Sequence, residues 1–189
     1  MIDFTNEIDE YFTRLKNTIN AIDRDELNKF INLLIDARNL GKTIFVIGNV
    51  GSAATASHSV CDFNKGLSFG NDKRFKFLCL NDNIYTTSAY SNDVDYDIAY
   101  VEQLKNFCKK DDLLIGISGS GNSKNILLAV DYANSIGATT VGITGYDGGK
   151  LRKLAEYSLN ANVNDMQISE DLHMIFFHLA MKVIYNENC

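Results

Sequence analysis

Two stretches of this chain run an apolar segment straight into a turn of glycines and hydroxyl side chains. In Leu113-Leu114-Ile115-Gly116-Ile117-Ser118-Gly119-Ser120-Gly121-Asn122-Ser123 the small residues let backbone N–H groups converge on an anion. Ser118, Ser120 and Ser123 add neutral donors, and the helix that must follow turns its positive end toward the same point. Upstream, Lys42 to Ile47 feeds Gly48-Asn49-Val50-Gly51-Ser52, a second turn of the same kind. Neither turn carries a lysine at the Walker position, so the pair points to a phosphorylated small molecule rather than a nucleoside triphosphate. Gly116, Gly119 and Gly121 are spaced GxxGxG, not GxGxxG, and no acidic residue ends a following strand, which argues against a dinucleotide cofactor. A single turn of this type can serve backbone conformation alone; two in one chain favour a ligand.

The chain has three histidines, His58, His173 and His178. His58 precedes Asp62 by four residues on a predicted helix, so the two side chains share a face and suit a metal pair or an acid–base pair. Glu170 and His178 are eight apart on the last predicted helix, roughly 80° from each other about its axis, which allows them to converge on one site two turns long. His173 is offset from both. His178 lies between Phe177 and Leu179, where an unpaired imidazole would be costly to bury, so a carboxylate or metal partner is expected for it.

These groups must be positioned by a scaffold whose pattern alternates strand and helix from residue 43 onward. Strands are expected at Thr43–Ile47, Phe75–Leu80, Leu113–Ile117, Thr139–Ile143 and Tyr157–Asn160. Helices are expected at Ser52–Phe63, Ile84–Ser91, Tyr96–Phe107, Lys124–Ile136, Lys150–Ala155 and about Ser169–Asn186. Buried β-branched runs joined by helices make a parallel sheet covered on both faces, with ligands at the carboxyl ends of its strands, where both turns fall. Before the sheet, residues 5 to 40 carry apolar residues at helical spacing and predict two helices broken near Asp23-Arg24-Asp25. The first has a broad apolar face that must pack on the last helix or on a neighbouring subunit.

With 189 residues, 46% of them hydrophobic and 22% charged, the chain suits one globular domain with a substantial core. Its net charge of −6 and scattered lysines leave no basic patch for nucleic acid. No apolar run is long enough to cross a membrane and the first residues lack the pattern of a signal peptide, so a cytoplasmic location is expected. Cys61, Cys79, Cys108 and Cys189 have no CxxC spacing, and three stand in apolar contexts, which suits reduced thiols used for packing.

The segments GNVGSAATASHSVCD, SNDVDY, GISGSGNSKN, GITGYDGGK and SEDLHMIFFH resemble, in this order and spacing, the SIS (sugar isomerase) domain proteins. The resemblance spans nearly the whole chain and is strongest to members that isomerise sedoheptulose 7-phosphate. It implies a three-layer sandwich around a five-stranded parallel sheet, with residues 1–189 as one SIS domain and 5–40 as its N-terminal helical extension. It also implies a homotetramer with active sites between subunits. Carried onto this chain, the substrate-binding positions are Asn49, Val50, Gly51 and Ser52, Asn92 and Asp93, Ser118, Gly119, Ser120 and Ser123, with Asp62 and Glu170. The zinc-binding positions of some members fall on His58, Asp62, Glu170 and His178, and the acid–base pair on Asp62 and His178. No nucleotide cofactor is implied.

Four positions depart from the family pattern. Asp62 stands where glutamate is usual, withdrawing the carboxylate by about one methylene, a displacement that can cost on the order of 100-fold in rate. Glu170 replaces glutamine and adds a negative charge that favours a divalent cation. Val50 replaces a glycine and Gly119 a threonine. The implied reaction is aldose–ketose isomerisation through an enediol, which needs one base and one acid, and an imidazole, with an ordinary pKa of about 6.5, can exchange protons near neutrality. The alternatives are an isomerase of another sugar phosphate and a non-catalytic relative that senses phosphosugars or binds a protein.

Overall fold

The computed structural model describes residues 1–187, so Cys189 lies outside the described residues. Two helices lead the chain, α1 (Thr5–Ala21) and α2 (Arg24–Asn39). The break between them is a helix cap: the Asp23 carboxylate accepts from the backbone N–H groups of Asp25 at 2.8 Å and Glu26 at 3.2 Å.

Five parallel strands follow, β1 (Ile44–Gly48), β2 (Phe77–Cys79), β3 (Leu113–Ser118), β4 (Thr139–Gly145) and β5 (Tyr157–Ala161), in the order β2-β1-β3-β4-β5. The helices are α3 (Gly51–Cys61), α4 (Ile84–Asp93), α5 (Ala99–Phe107), α6 (Lys124–Ser135), α7 (Leu151–Leu154) and α8 (Met166–Glu187). Alternate residues of each strand serve opposite faces. Ile44 and Val46 join Ile115, Val141 and Leu159 in a core shared with α2, α3 and α8. Phe45, Ile47 and Leu114 pack with α5, α6 and α7. The expected three-layer sandwich is therefore present, and β1 and β3 end side by side, bringing both turns to one edge of the sheet.

Several boundaries differ from the sequence expectation, each for a local reason. The helix expected over Ser52–Phe63 stops at Cys61, and Asp62–Leu67 forms a π-helical turn that carries Phe63 and Leu67 into the core. Tyr96–Phe107 opens as a 3₁₀ turn over Tyr96–Ile98, where the Asp95 carboxylate accepts from the Asp97 N–H at 2.8 Å, before α5 begins. Helix α8 starts three residues earlier than expected, with the Asp165 carboxylate accepting from the Ile168 N–H at 3.1 Å. Cys79 and Cys108 are buried, as packing residues should be, but Cys61 is exposed.

Helix α1 packs on α8 through a 2.5 Å hydrogen bond from the Tyr11 hydroxyl to Asp171 and a 2.9 Å ion pair between Arg14 and Asp165. The carboxylate beside it pushes the Tyr11 hydroxyl up to about 12. Phe4, Ile8 and Phe12, spaced four apart, remain exposed on its outer face. No helix among the described residues is long and apolar enough to cross a membrane.

Candidate active site

The first turn is built by close approach. Gly48 ends β1, and a Cβ there would stand 2.5 Å from the Ser52 carbonyl oxygen, so only glycine lets the chain fold back into α3. Val50 then adopts φ 50° and ψ −114°, a conformation that costs a β-branched residue about 1–3 kcal/mol. Its side chain is 93% exposed, so packing does not repay the strain. At Gly51 a Cβ would collide with the Glu170 carboxylate, which places α8 directly against the first turn of α3.

The second turn faces the first. Ser118 Oγ lies 3.0 Å from Ser123 Oγ, and although Ser123 is the N-cap of α6 its hydroxyl does not cap the helix. A cavity of about 280 Å³ lies between the turns, lined by Asn49, Val50, Ser52, Ile117, Ser118, Gly119, Ser120, Ser123, Met166 and Glu170. Its polar lining is hydroxyl, amide and a single carboxylate, with no lysine or arginine. Gly119 leaves space that Met166 fills: the thioether sulfur sits 2.5 Å from where a Cβ would stand. Eight of the expected substrate-binding positions, Asn49, Val50, Ser52, Ser118, Gly119, Ser120, Ser123 and Glu170, thus meet; Met166 joins them unexpectedly, and Gly51 adjoins the cavity through Glu170. Asn92 and Asp93 do not line it; they end α4, exposed and bonded to each other at 2.7 Å. A larger cavity of about 490 Å³ lies at the amino ends of the strands between Leu33, Leu40, Lys42 and Thr139. It lacks convergent hydroxyls and lies at the end of the sheet opposite the turns.

Farther along α3 and α8 stands a cluster of titratable groups. His58 Nε2 is 3.0 Å from His178 Nε2, and Asp62 Oδ2 lies 3.4 Å from the first and 3.6 Å from the second. The Asp62 oxygen is buried without a hydrogen-bond partner, while both imidazoles are about half exposed. Gly51 meets Glu170 and, seven and eight residues on, His58 meets His178, so α3 and α8 run side by side in the same direction. The cluster is therefore separated from Glu170 by two turns, about 10 to 12 Å. The three donor atoms are spaced close to the edge of a zinc coordination tetrahedron, about 3.4 Å. An orphaned carboxylate oxygen between two imidazoles has the chemistry of a divalent-cation site. Glu170 does not join the three.

The burial expected for His178 belongs instead to His173. His173 is fully buried against β4, neither ring nitrogen has a well-formed hydrogen bond, and burial pulls its imidazole down to about 4. Helical phase decides this: five residues separate the two histidines, which puts them on different sides of α8.

A model of the SIS domain matches residues 4–145. The chain belongs to the SIS domain family, among the phosphoheptose isomerases. It is 33% identical over 164 residues to a phosphoheptose isomerase of Aliarcobacter butzleri, covering 87% of this chain and 86% of the relative. The solved structure of a phosphoheptose isomerase from Francisella tularensis superposes with a TM-score of 0.89 at 21% identity, covering 98% of this chain and 100% of that one. That from Neisseria gonorrhoeae gives 0.87 at 24% identity, covering 96% and 98%. These two similarities speak to the fold.

Proposed function

We propose that this SIS domain protein isomerises sedoheptulose 7-phosphate to the corresponding aldose 7-phosphate, D-glycero-D-manno-heptose 7-phosphate. The observation that carries the reading is the seam between α3 and α8. It has a cavity lined by hydroxyls and amides at one end and the cluster of His58, Asp62 and His178 two turns away at the other, which this reading takes as anion cradle and acid–base pair. A sugar with phosphate on its last carbon and a carbonyl near its first has the shape to bridge them.

In this reading the Ser118–Ser123 turn and the amides of Val50 and Gly51 receive the phosphate and neighbouring hydroxyls. Glu170 faces the sugar; of its two expected roles, the geometry supports substrate contact rather than metal ligation. The Asp62 carboxylate removes a proton from C1 of the ketose while His178, as an acid, protonates the carbonyl oxygen on C2, giving the enediol. Asp62 then returns its proton to C2 as His178 withdraws the proton from the hydroxyl on C1, which becomes the aldehyde. Asp62 and His178 stand 3.6 Å apart, a separation that suits groups acting on adjacent carbons. His58, Asp62 and His178 have the donor set and spacing for zinc, which when bound would polarise the carbonyl.

The cluster also adjoins apolar surface. Ile175, Leu179 and Val183 form an exposed stripe on α8, and α1 carries its own with Phe4, Ile8 and Phe12. Stripes of this kind mark interfaces, and they support a homotetramer whose sites are completed between subunits. Buried, unpaired thiols at Cys79 and Cys108 suit a cytoplasmic setting.

Incubation with sedoheptulose 7-phosphate, with and without added zinc, followed by NMR of the sugar, tests the reading. Appearance of the aldose 7-phosphate is expected. Binding without turnover would favour a phosphosugar sensor, and absence of both would overturn the assignment. Light scattering of the purified chain tests the tetramer.

A further inference from the structure

The side chain of Asn49 is almost wholly occupied by its own protein. Its Oδ1 accepts from the Tyr96 hydroxyl at 2.7 Å and from Asn125 Nδ2 at 3.0 Å, and lies 3.3 Å from the Tyr100 hydroxyl oxygen. Its Nδ2 donates to Asn125 Oδ1 at 2.9 Å, so the two amides pair reciprocally and one N–H of Asn49 is left over. Asn125 is 2% exposed and lies two residues beyond Ser123, in the first turn of α6. Its Oδ1 also accepts from the Ile126 N–H at 2.9 Å, which fixes the amide on the helix.

The pair therefore ties the turn after β1 to the turn after β3. Behind it, the buried Tyr100 hydroxyl donates to the Gly48 carbonyl at 2.7 Å, and Asn81 brackets Gly48, donating to its carbonyl at 2.6 Å and accepting from its N–H at 3.2 Å. Burial raises the Tyr100 hydroxyl far above the ordinary phenol range, so it stays protonated and keeps its role as donor. Tyr96 extends the tie outward, because it belongs to the 3₁₀ turn that follows Asn92 and Asp93. That turn is pinned a second time by a 2.6 Å ion pair between Asp97 and Lys124. Helix α4, which precedes it, buries none of its own residues and is tied to α5 by a 3.2 Å hydrogen bond from Gln103 Nε2 to Thr87 Oγ1.

We propose that Asn125 is a positioning residue for the sugar-phosphate site: paired with Asn49, it sets the spacing of the two anion-binding turns, and Tyr96 couples the Asn92–Asp93 segment to that spacing. Two turns that grip one phosphate must be held at a fixed distance, because displacement near 1 Å weakens binding steeply. The lining amides and hydroxyls of this cavity are neutral, so geometry rather than net positive charge has to supply the affinity. The role rests on the sugar-phosphate reading.

Two variants test it. Asn125→Asp keeps the size but loses the donor and sets a carboxylate against Asn49 Oδ1. Tyr96→Phe removes one hydroxyl from a part-exposed ring and leaves the core intact. KM and kcat for sedoheptulose 7-phosphate are measured together with the dissociation constant of inorganic phosphate by calorimetry and with the melting temperature. Asn125→Asp should raise KM and the phosphate dissociation constant together by on the order of 30- to 100-fold, with kcat within about threefold. Tyr96→Phe should raise KM about 5-fold at an unchanged melting temperature. A purely structural role would instead lower the melting temperature and leave KM of the folded enzyme as in wild type. If the wild type binds phosphate and Tyr96→Phe and Asn125→Asp bind it equally well, the positioning role is overturned and the sugar-phosphate reading stands. A wild type that binds neither phosphate nor the sugar phosphate overturns the reading itself, and the positioning role with it.

Discussion

The two ends of the α3–α8 seam are built on opposite principles. At the sheet edge the turns are over-determined: Gly48 is held by Asn81 and Tyr100, and Asn49 by Asn125 and Tyr96. Two turns down the seam, the Asp62 oxygen has no hydrogen bond, both imidazoles are half exposed, and the apolar stripe of α8 stands open beside them. An anion cradle must be rigid before its ligand arrives, and backbone groups at strand ends can be fixed within one chain. The acid–base pair of the proposed reaction must exchange protons, which fits atoms left available rather than tied up. In the proposed reading, what completes them, a cation, a sugar or a second subunit, comes from outside the chain.

The largest effect expected from this contrast is on turnover. Asp62→Asn and His178→Ala should each reduce kcat on the order of 100- to 10,000-fold while the phosphate dissociation constant stays near wild type, because the cradle is built elsewhere. Loss of phosphate binding in either variant would show that the two ends are not separable.

The next effect reads the buried side of α8. His173 titrates near 6.5 when unfolded and about 4 when folded, so between those values the unfolded chain binds the extra proton. Stability then falls as pH drops through that window, by about 3 kcal/mol in total, and is at its full value above pH 6.5. Urea unfolding as a function of pH measures this, and a His173→Leu variant should lose that part of the slope.

Zinc offers a test that does not depend on activity. At 100 times its dissociation constant the ion should stabilise the protein by about 2.7 kcal/mol, seen as a raised melting temperature, and His58→Ala should abolish the shift. A shift that survived in His58→Ala but vanished in Glu170→Gln would move the site toward the cradle.

The smallest effect concerns the rigid end. Gly48→Ala forces a methyl group to within 2.5 Å of the Ser52 carbonyl oxygen and should destabilise the protein by about 2 kcal/mol. Its phosphate affinity should fall as well. Unchanged phosphate binding would mean that the first turn does not form the cradle.

Much of the fold was legible in the chain. The alternation of apolar strands and amphipathic helices gave all five strands to within two residues at either end, and Asp23 announced the break between the first two helices. The site was legible in part. Glycine and serine after an apolar run marked both turns, and the i,i+4 spacing marked His58 with Asp62. Glu170 was expected at the same cation as His178, but their eight-residue separation places them at different ends of the seam. The tie through Asn125, Tyr96, Tyr100 and Asn81 was not read at all, since its members are scattered over 76 residues at most from Asn49 and carry no local pattern. Asn125 and Tyr96 alone left a trace, standing at the ends of the GISGSGNSKN and SNDVDY segments.

The sequence by itself determined the periodicities, the turns and the capping residues, because these depend on side chains within a few positions of one another. Which histidine is buried, which carboxylate lines the cavity between the turns and which amide locks two turns together were decided only when β1 and β3 paired and α8 lay along α3. Those choices depend on helical phase and on contacts between distant segments, and no local rule contains them.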